Sequence, residues 1–269
     1  MNPSVLFAVQ DGIATLTLNE GERLNPLSDA IQQGLLEGLQ RVRDTPAVRC
    51  LVVTGAGRGF CVGADLPDFQ RRAADTTRGS LGDQVRHMLE QSASRIVSEI
   101  KALPVPVVCA VNGAAAGGGV GLALAGDMVL AARSAYFYLP FVPALGAVPD
   151  MGATWHLPRA VGRARAIGLT LTGHKLRAEQ ALAWGLLWDC VEDQDLPAAT
   201  LALARQLAAL PAHAIGEVRA LFAASDGHTL PEQMALEGHR QGALLDGECF
   251  AEGMRAFLER RPPVFRGRA

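Results

Sequence analysis

Two glycine-rich stretches hold the residues best suited to chemistry in this chain: Gly59-Phe60-Cys61-Val62-Gly63-Ala64-Asp65-Leu66, and Val111-Asn112-Gly113 through Gly117-Gly118-Gly119-Val120-Gly121. Small residues let a ligand approach the main chain and leave backbone N–H groups free to meet it. One such stretch alone reads equally well as a strand-to-helix turn or as close helix packing. Two together supply the pair of donors that a developing oxyanion requires. After Asp127 the next acid is Asp150, since no carboxylate occurs from Met128 to Pro149. A pocket built from Phe137, Leu139, Phe141 and Trp155 is expected around it. Such surroundings raise a carboxyl pKa and suit the group to take a proton and return it. The competing role for Asp150 is an N-cap on a helix over Met151–Leu157. His156 reads as a packed or surface residue, and Asp65 and Asp127 as structural caps.

The elements that position these residues follow from periodicity and punctuation. Val5–Val9 and Ile13–Leu18 flank Asp11-Gly12, a hairpin signal. Ser28 caps a helix to about Arg43, with Ile31, Leu35, Leu39 and Val42 on one face. Cys50–Thr54, Val107–Val111 and Val129–Ala132 are short apolar runs, expected as buried strands, and glycines follow the first two. Residues 67–82 are polar and read as mobile surface. One long helix is expected from Asp83 to Leu103, where Pro104 and Pro106 stop it. From Thr154 the pattern is helical: Ala164–Leu171, Ala178–Ala183, Ala198–Leu210, Ala212–Ala223, Pro231–Leu245 and Cys249–Arg260. Short strands alternating with helices, then a run of helices, predict an α/β core with a helical C-terminal part.

Bulk properties exclude several classes. With 269 residues, 49% hydrophobic and 19% charged, the chain can bury a full globular core. A net charge of −2 and no basic stripe before the tail argue against nucleic acid as a partner. The tail itself (Arg255, Arg260, Arg261, Arg266, Arg268) is locally basic, as a solvated helix or an anion contact. Five scattered cysteines without a C-x-x-C pair predict neither a disulfide framework nor a metal site, and fit a reducing compartment, expected to be the cytoplasm. Met1-Asn2-Pro3-Ser4 carries no secretory pattern, and the apolar window from Val105 to Ala132 is too interrupted for a membrane span. The loop Val53-Thr54-Gly55-Ala56-Gly57-Arg58-Gly59-Phe60 fails as a dinucleotide fingerprint, because Phe60 stands where the third glycine is needed. Tyr136 and Tyr138 lack a lysine four residues on, which further disfavours nicotinamide chemistry.

The two glycine stretches, Val148-Pro149-Asp150-Met151-Gly152, Leu157-Pro158-Arg159 and the ending Phe257-Leu258-Glu259-Arg260-Arg261-Pro262-Pro263-Val264-Phe265 together resemble the enoyl-CoA hydratase/isomerase (crotonase) superfamily. The resemblance runs from the first hairpin to the tail, leaving only 67–82 without counterparts. It implies a spiral of repeated ββα units over 1–197 and a helical oligomerisation region over 198–269, assembling homotrimers or homohexamers. It implies an acyl-CoA thioester as substrate, with coenzyme A entering as part of that substrate and no separate cofactor or metal. Carried over by position, the Ala64 and Gly118 N–H groups are the oxyanion donors. Arg23, Leu24, Val62, Ala64, Asp65, Leu66, Gly118, Phe257 and Arg260 are the binding residues.

The acid pattern departs from that of hydratases in this family, which carry two glutamates. Gly121 stands at the first position and Phe141, or Val142 with one insertion, at the second. Isomerases of the family place their single acid where Asp150 stands. The expectation is therefore an enoyl-CoA isomerase working with one carboxylate. An enoyl-CoA hydratase on the same scaffold and a non-catalytic CoA-binding member are the alternatives. A glutamate introduced at Gly121 is expected to add some hydratase activity.

Overall fold

The computed structural model describes residues 3–267; Met1, Asn2 and Arg268 of the sequence reading lie outside the described residues. The chain opens with the expected hairpin, β1 (Val5–Gln10) and β2 (Ile13–Leu18), joined by Asp11 at φ 52° and Gly12 at φ 75°. Two left-handed residues in succession give the turn whose twist matches an antiparallel pair. Helix α1 (Asp29–Asp44) starts where the Ile31 N–H donates to Ser28 Oγ at 3.2 Å, and it buries Ile31, Leu35, Leu39 and Val42.

Three turns of a spiral follow. The first is β3 (Cys50–Gly55), β4 (Gly59–Cys61) and helices α2 (Leu66–Ala74), α3 (Leu81–Met88) and α4 (Ser94–Ala102). The second is β5 (Val107–Val111), β6 (Ala114–Ala116) and α5 (Gly118–Leu124). The third is β7 (Met128–Ala132), β8 (Tyr136–Tyr138), α6 (Phe141–Leu145), α7 (Ala153–Val161) and α8 (Arg163–Thr172). Then come β9 (Leu176–Arg177), α9 (Ala178–Ala183), β10 (Asp189–Val191), α10 (Leu196–Ala208), α11 (Ala214–Ser225), α12 (Leu230–Leu245) and α13 (Glu248–Leu258). The first strand of each spiral turn enters a six-stranded sheet in the order β1-β2-β3-β5-β7-β10, and the second enters a four-stranded sheet in the order β4-β6-β8-β9. The spiral strands pair in parallel in both sheets. Because β5 and β7 are covered on both faces, Val107, Val108, Cys109 and Val111 are all buried, as continuous apolar runs predict.

Three features differ from the sequence reading. Strands β4, β6 and β8 are three residues each and are made from small or aromatic residues, too short to show a period. Residues 67–82, expected as mobile surface, contain α2 and the start of α3. Asp65 caps the first and Ser80 the second, and Arg72 ties Asp68 and Asp29 together across α2 and α1. Their polarity is that of two solvated helix faces. The long helix from Asp83 to Leu103 is broken by a wide turn at Leu89–Ala93 with π-type pairing, between α3 and α4.

Asp127 keeps its structural role. Its Oδ2 accepts the Val107 N–H at 2.7 Å, and both of its oxygens accept from the Arg219 guanidinium of α11. Arg219 also donates to the carbonyls of Lys101 and Leu103, so α11 is clamped to the end of α4 and the start of β5. Among the described residues no helix is long and apolar enough to cross a membrane.

Candidate active site

The two glycine stretches meet at the ends of β4 and β6, one residue of each turn against the other. A Cβ added to Gly63, at φ 79°, would lie 2.8 Å from both Ala116 O and Gly118 N. Only glycine permits this approach and this dihedral together. Asn25 holds the first turn from behind: wholly buried, it donates from Nδ2 to Ala56 O and Gly59 O and accepts the Glu20 N–H at Oδ1. Sequence reasoning missed Asn25. Its signal was a polar residue between Leu24 and Pro26-Leu27, where burial is visible only in three dimensions.

Peptide planarity fixes the direction of the two donors. Gly63 C=O accepts the Leu27 N–H at 2.7 Å, so the Ala64 N–H on the same peptide plane points the opposite way, toward the cavity. Gly117 C=O accepts the Val120 N–H at 3.0 Å, which turns the Gly118 N–H outward from the start of α5. Among the described residues neither Ala64 N–H nor Gly118 N–H has an acceptor.

Asp150 enters the same cavity. It begins a tight turn in which Met151 (φ 48°) and Gly152 (φ 75°) are both left-handed and the Ala153 N–H donates to Asp150 O at 3.0 Å. Gly152, not Asp150, is the N-cap of α7, so the capping role considered for Asp150 does not hold. Its Oδ1 is fully buried without a hydrogen-bond partner and lies 3.3 Å from the place a Gly118 Cβ would take. Burial pushes the Asp150 carboxyl up to about 6, and a hydrogen bond from its own backbone N–H opposes this only partly.

A cavity of about 100 Å³ joins these groups, walled mainly by Leu27, Val62, Leu66, Phe69, Met88, Leu89, Phe141 and Met151. Asp150 is the one ionisable side chain among its lining residues. Of the aromatic wall expected from the sequence, Phe141 is present. Phe137 and Leu139 are buried elsewhere in the core, and Trp155 is 56% exposed, stacked under the Arg159 guanidinium. Trp155 faces outward because it sits in the first turn of α7, whose inward positions are Ala153 and Leu157. His156 lies outside the cavity lining. Burial, with Lys101 and Arg159 nearby, lowers its pKa to about 4 and keeps the ring neutral.

The remaining expected residues fall into two groups. Arg23, Leu24 and Asp65 cluster beside the first glycine turn, with Arg23 Nη2 donating to Asp65 Oδ2 at 2.7 Å. The Arg23 guanidinium remains half exposed, while Asp65 is spent on that pair and on capping α2. Phe257 and Arg260 are exposed on and after α13 and do not reach the cavity of their own chain. No group of three or more His, Cys, Asp or Glu side chains suited to a metal occurs among the described residues.

Gly121 corrects one expectation. A Cβ there would collide with the Met151 carbonyl oxygen and lie 2.8 Å from Met151 Cβ, so a glutamate cannot be added without moving the turn that carries Asp150. Gly121→Glu is expected to lose roughly 3 kcal/mol or more of stability, from overpacking and an unpaired buried charge, and to gain no hydratase activity. Denaturant unfolding beside a hydration assay checks this; an unchanged midpoint with new hydration would contradict it.

The family model for Enoyl-CoA hydratase/isomerase matches residues 8–268. An Escherichia coli protein named 1,2-epoxyphenylacetyl-CoA isomerase is 44% identical over 264 residues, covering 98% of each chain. A Rhodobacter capsulatus protein named "Probable enoyl-CoA hydratase" is 42% identical, again over 98% of each chain. The crystal structure of an enoyl-CoA hydratase from Polaromonas sp. JS666 superposes with a TM-score of 0.89 at 31% identity, covering 97% of this chain and 99% of that one. The alternating two-sheet spiral and its helical C-terminal part are those of the crotonase fold, and the chain is an enzyme belonging to the enoyl-CoA hydratase/isomerase family.

Proposed function

We propose that this enzyme is an acyl-CoA isomerase that shifts a double bond with Asp150 as its sole proton carrier. The observation that carries the reading is the unpartnered, buried Asp150 Oδ1 beside Gly118, in a cavity whose lining holds no second carboxylate. The thioester oxygen accepts from the Ala64 and Gly118 N–H groups. A C–H bond next to the carbonyl then breaks, its electron pair delocalises toward that oxygen, and the proton passes to Asp150. Asp150 returns the same proton at the far carbon of the allylic system as the electrons flow back. Atoms and charge balance with no water consumed. Each N–H donor is worth about 2.7–4 kcal/mol where such donors have been removed from other enzymes. A carboxyl near pH 6 both accepts and releases a proton at modest cost.

The shift leaves the overall oxidation state unchanged, and the reading assigns it no metal or redox cofactor. Coenzyme A enters with the substrate. Arg23, Leu24, Val62, Asp65 and Leu66 border the first glycine turn, where the coenzyme A portion of the substrate, still joined to the acyl group, runs out to solvent. Hydration calls for a second group to activate water, and the space beside Gly121 is already filled by Met151. The activity named for the Escherichia coli relative is also an isomerisation of an acyl-CoA. The free cysteines among the described residues fit a reducing cytoplasm.

Incubation of the purified protein with 3-enoyl-CoA, with no added cofactor, is expected to yield 2-enoyl-CoA. Accumulation of 3-hydroxyacyl-CoA as the main product from 2-enoyl-CoA would overturn the isomerase reading in favour of hydration.

We further propose a homotrimer or a homohexamer as the working form. Phe222, Leu230, Met234, Phe257 and Leu258 on α11 to α13 are large apolar residues facing outward, more than an isolated surface of this kind usually shows. Phe257 and Arg260 then border the ligand of a neighbouring copy. Light scattering at micromolar protein should give three or six chain masses; a monomer would exclude this assembly.

A further inference from the structure

Besides Asp150, one other polar side chain lines the cavity: Gln32 of α1, 2% exposed. Its surroundings do not use it fully. Nε2 donates to Leu27 O at 2.7 Å, and its other contact is the Met88 thioether sulfur at 3.6 Å, a weak acceptor. Oε1 accepts from Ser92 Oγ, which lies in the wide turn at Leu89–Ala93. An amide offers two N–H donors and two acceptor lone pairs, so one donor and one lone pair are left without a strong partner. A buried side chain kept only for packing would be apolar here, like its neighbours Leu27, Leu89 and Ala93. The wide turn matters because π-type turns within helices occur frequently at functional sites. This one presents Leu89 and Ala93 to the cavity, beside Met88 at the end of α3, and Ser92 to Gln32. Met88 is unbranched and flexible, so it can swing away from the amide when something better arrives.

We infer that Gln32 forms a polar subsite within the acyl cavity, for acyl groups that carry an oxygen acceptor (carbonyl, hydroxyl, ether or epoxide) beyond the thioester. The Nε2 hydrogen now facing Met88 Sδ donates to that oxygen, with Ser92 fixing the plane of the amide. This inference rests on the reading of the cavity as an acyl-CoA site. Gln32 is a binding residue in it, and it takes no part in proton transfer.

The test uses binding of acyl-CoAs that have no double bond to shift, so that Asp150 chemistry does not enter. Calorimetry compares hexanoyl-CoA with 4-oxohexanoyl-CoA and 5-oxohexanoyl-CoA on the wild-type protein and on Gln32→Met, which keeps length and flexibility but has no donor. The affinity ratio of the better oxo compound to hexanoyl-CoA is expected to fall about tenfold in the variant, the size of one good hydrogen bond. A purely structural Gln32 would change all three affinities in step and leave the ratio where it was; an unchanged ratio overturns the subsite. Should Gln32→Met fail to fold, Ser92→Ala removes the group that orients the amide and is expected to lower the ratio about threefold. An unchanged ratio there overturns it equally. If the wild-type protein binds none of the three thioesters, the acyl-CoA reading falls as well. If it binds them without preference for oxygen, only the subsite falls.

Discussion

Asp150→Asn is expected to lower kcat by about 10²–10⁴-fold while leaving substrate affinity nearly intact, because it removes the general base and keeps its volume. The amide cannot accept the proton that must leave carbon. In the wild-type enzyme, kcat should rise with pH and level off above about 6, where Asp150 is ionised. The same group gives a stability signature of defined sign. Its folded pKa of about 6 lies above the ordinary value of 3.8, so between those values the folded state holds more protons than the unfolded state. Wild-type stability should therefore fall as pH rises from about 4 to about 6, by roughly 2–3 kcal/mol once solvent screening of a part-exposed carboxyl is allowed for. Asp150→Asn should lack that component. Steady-state kinetics with 3-enoyl-CoA and urea unfolding across this pH range check the two halves separately. Full isomerase activity in the variant would move the base elsewhere, with Asp68 and Asp75 the next carboxylates to substitute.

Gly118→Val is expected to damage both turnover and binding, in contrast to Asp150→Asn. A Cβ at this position would lie 2.8 Å from Met151 Sδ, 3.1 Å from Leu27 Cδ1 and 3.3 Å from Asp150 Oδ1. Met151 and Leu27 can yield because the atoms touched are the ends of flexible side chains, but they yield into the cavity. The branched side chain also stands between the Gly118 N–H and any incoming carbonyl oxygen. Loss of one such donor lowers kcat by about 10²–10³-fold in better-studied sites, and the lost volume should raise Kd for an acyl-CoA by at least about tenfold. Thermal unfolding separates this from collapse of the fold, since overpacking of this size costs about 1–3 kcal/mol. Wild-type affinity in Gly118→Val would show that the carbonyl docks elsewhere.

The elements that could be read in advance were those whose own residues repeat a pattern. The β1–β2 hairpin is written in Asp11-Gly12 and the alternation around it, and α1 in Ser28 and the stripe from Ile31 to Val42. Strands β3, β5 and β7 are written in apolar runs long enough to exclude a surface loop. The glycine stretches are equally local, because close backbone approach leaves small residues as its only trace. Strands β4, β6 and β8 were not legible: three residues cannot display a period, and their strand character comes from pairing with one another across the spiral. Residues 67–82 misled for a related reason, since helices that bury few side chains look like polar loops in sequence.

The site divides along the same line. The order of residues determined that Asp150 is the first carboxylate after Ala116-Gly117-Gly118-Gly119 apart from Asp127; the family resemblance added that neither place where a hydratase has its two glutamates holds an acid. Only the tertiary structure decided that Asp150 Oδ1 is unpartnered beside Gly118, that Trp155 points to solvent, that Met151 closes the space over Gly121, and that Gln32 joins the cavity from α1. Each of these depends on residues far apart in the chain meeting at one place. Burial, lost hydration and steric exclusion belong to that meeting, and no single segment carries a record of them.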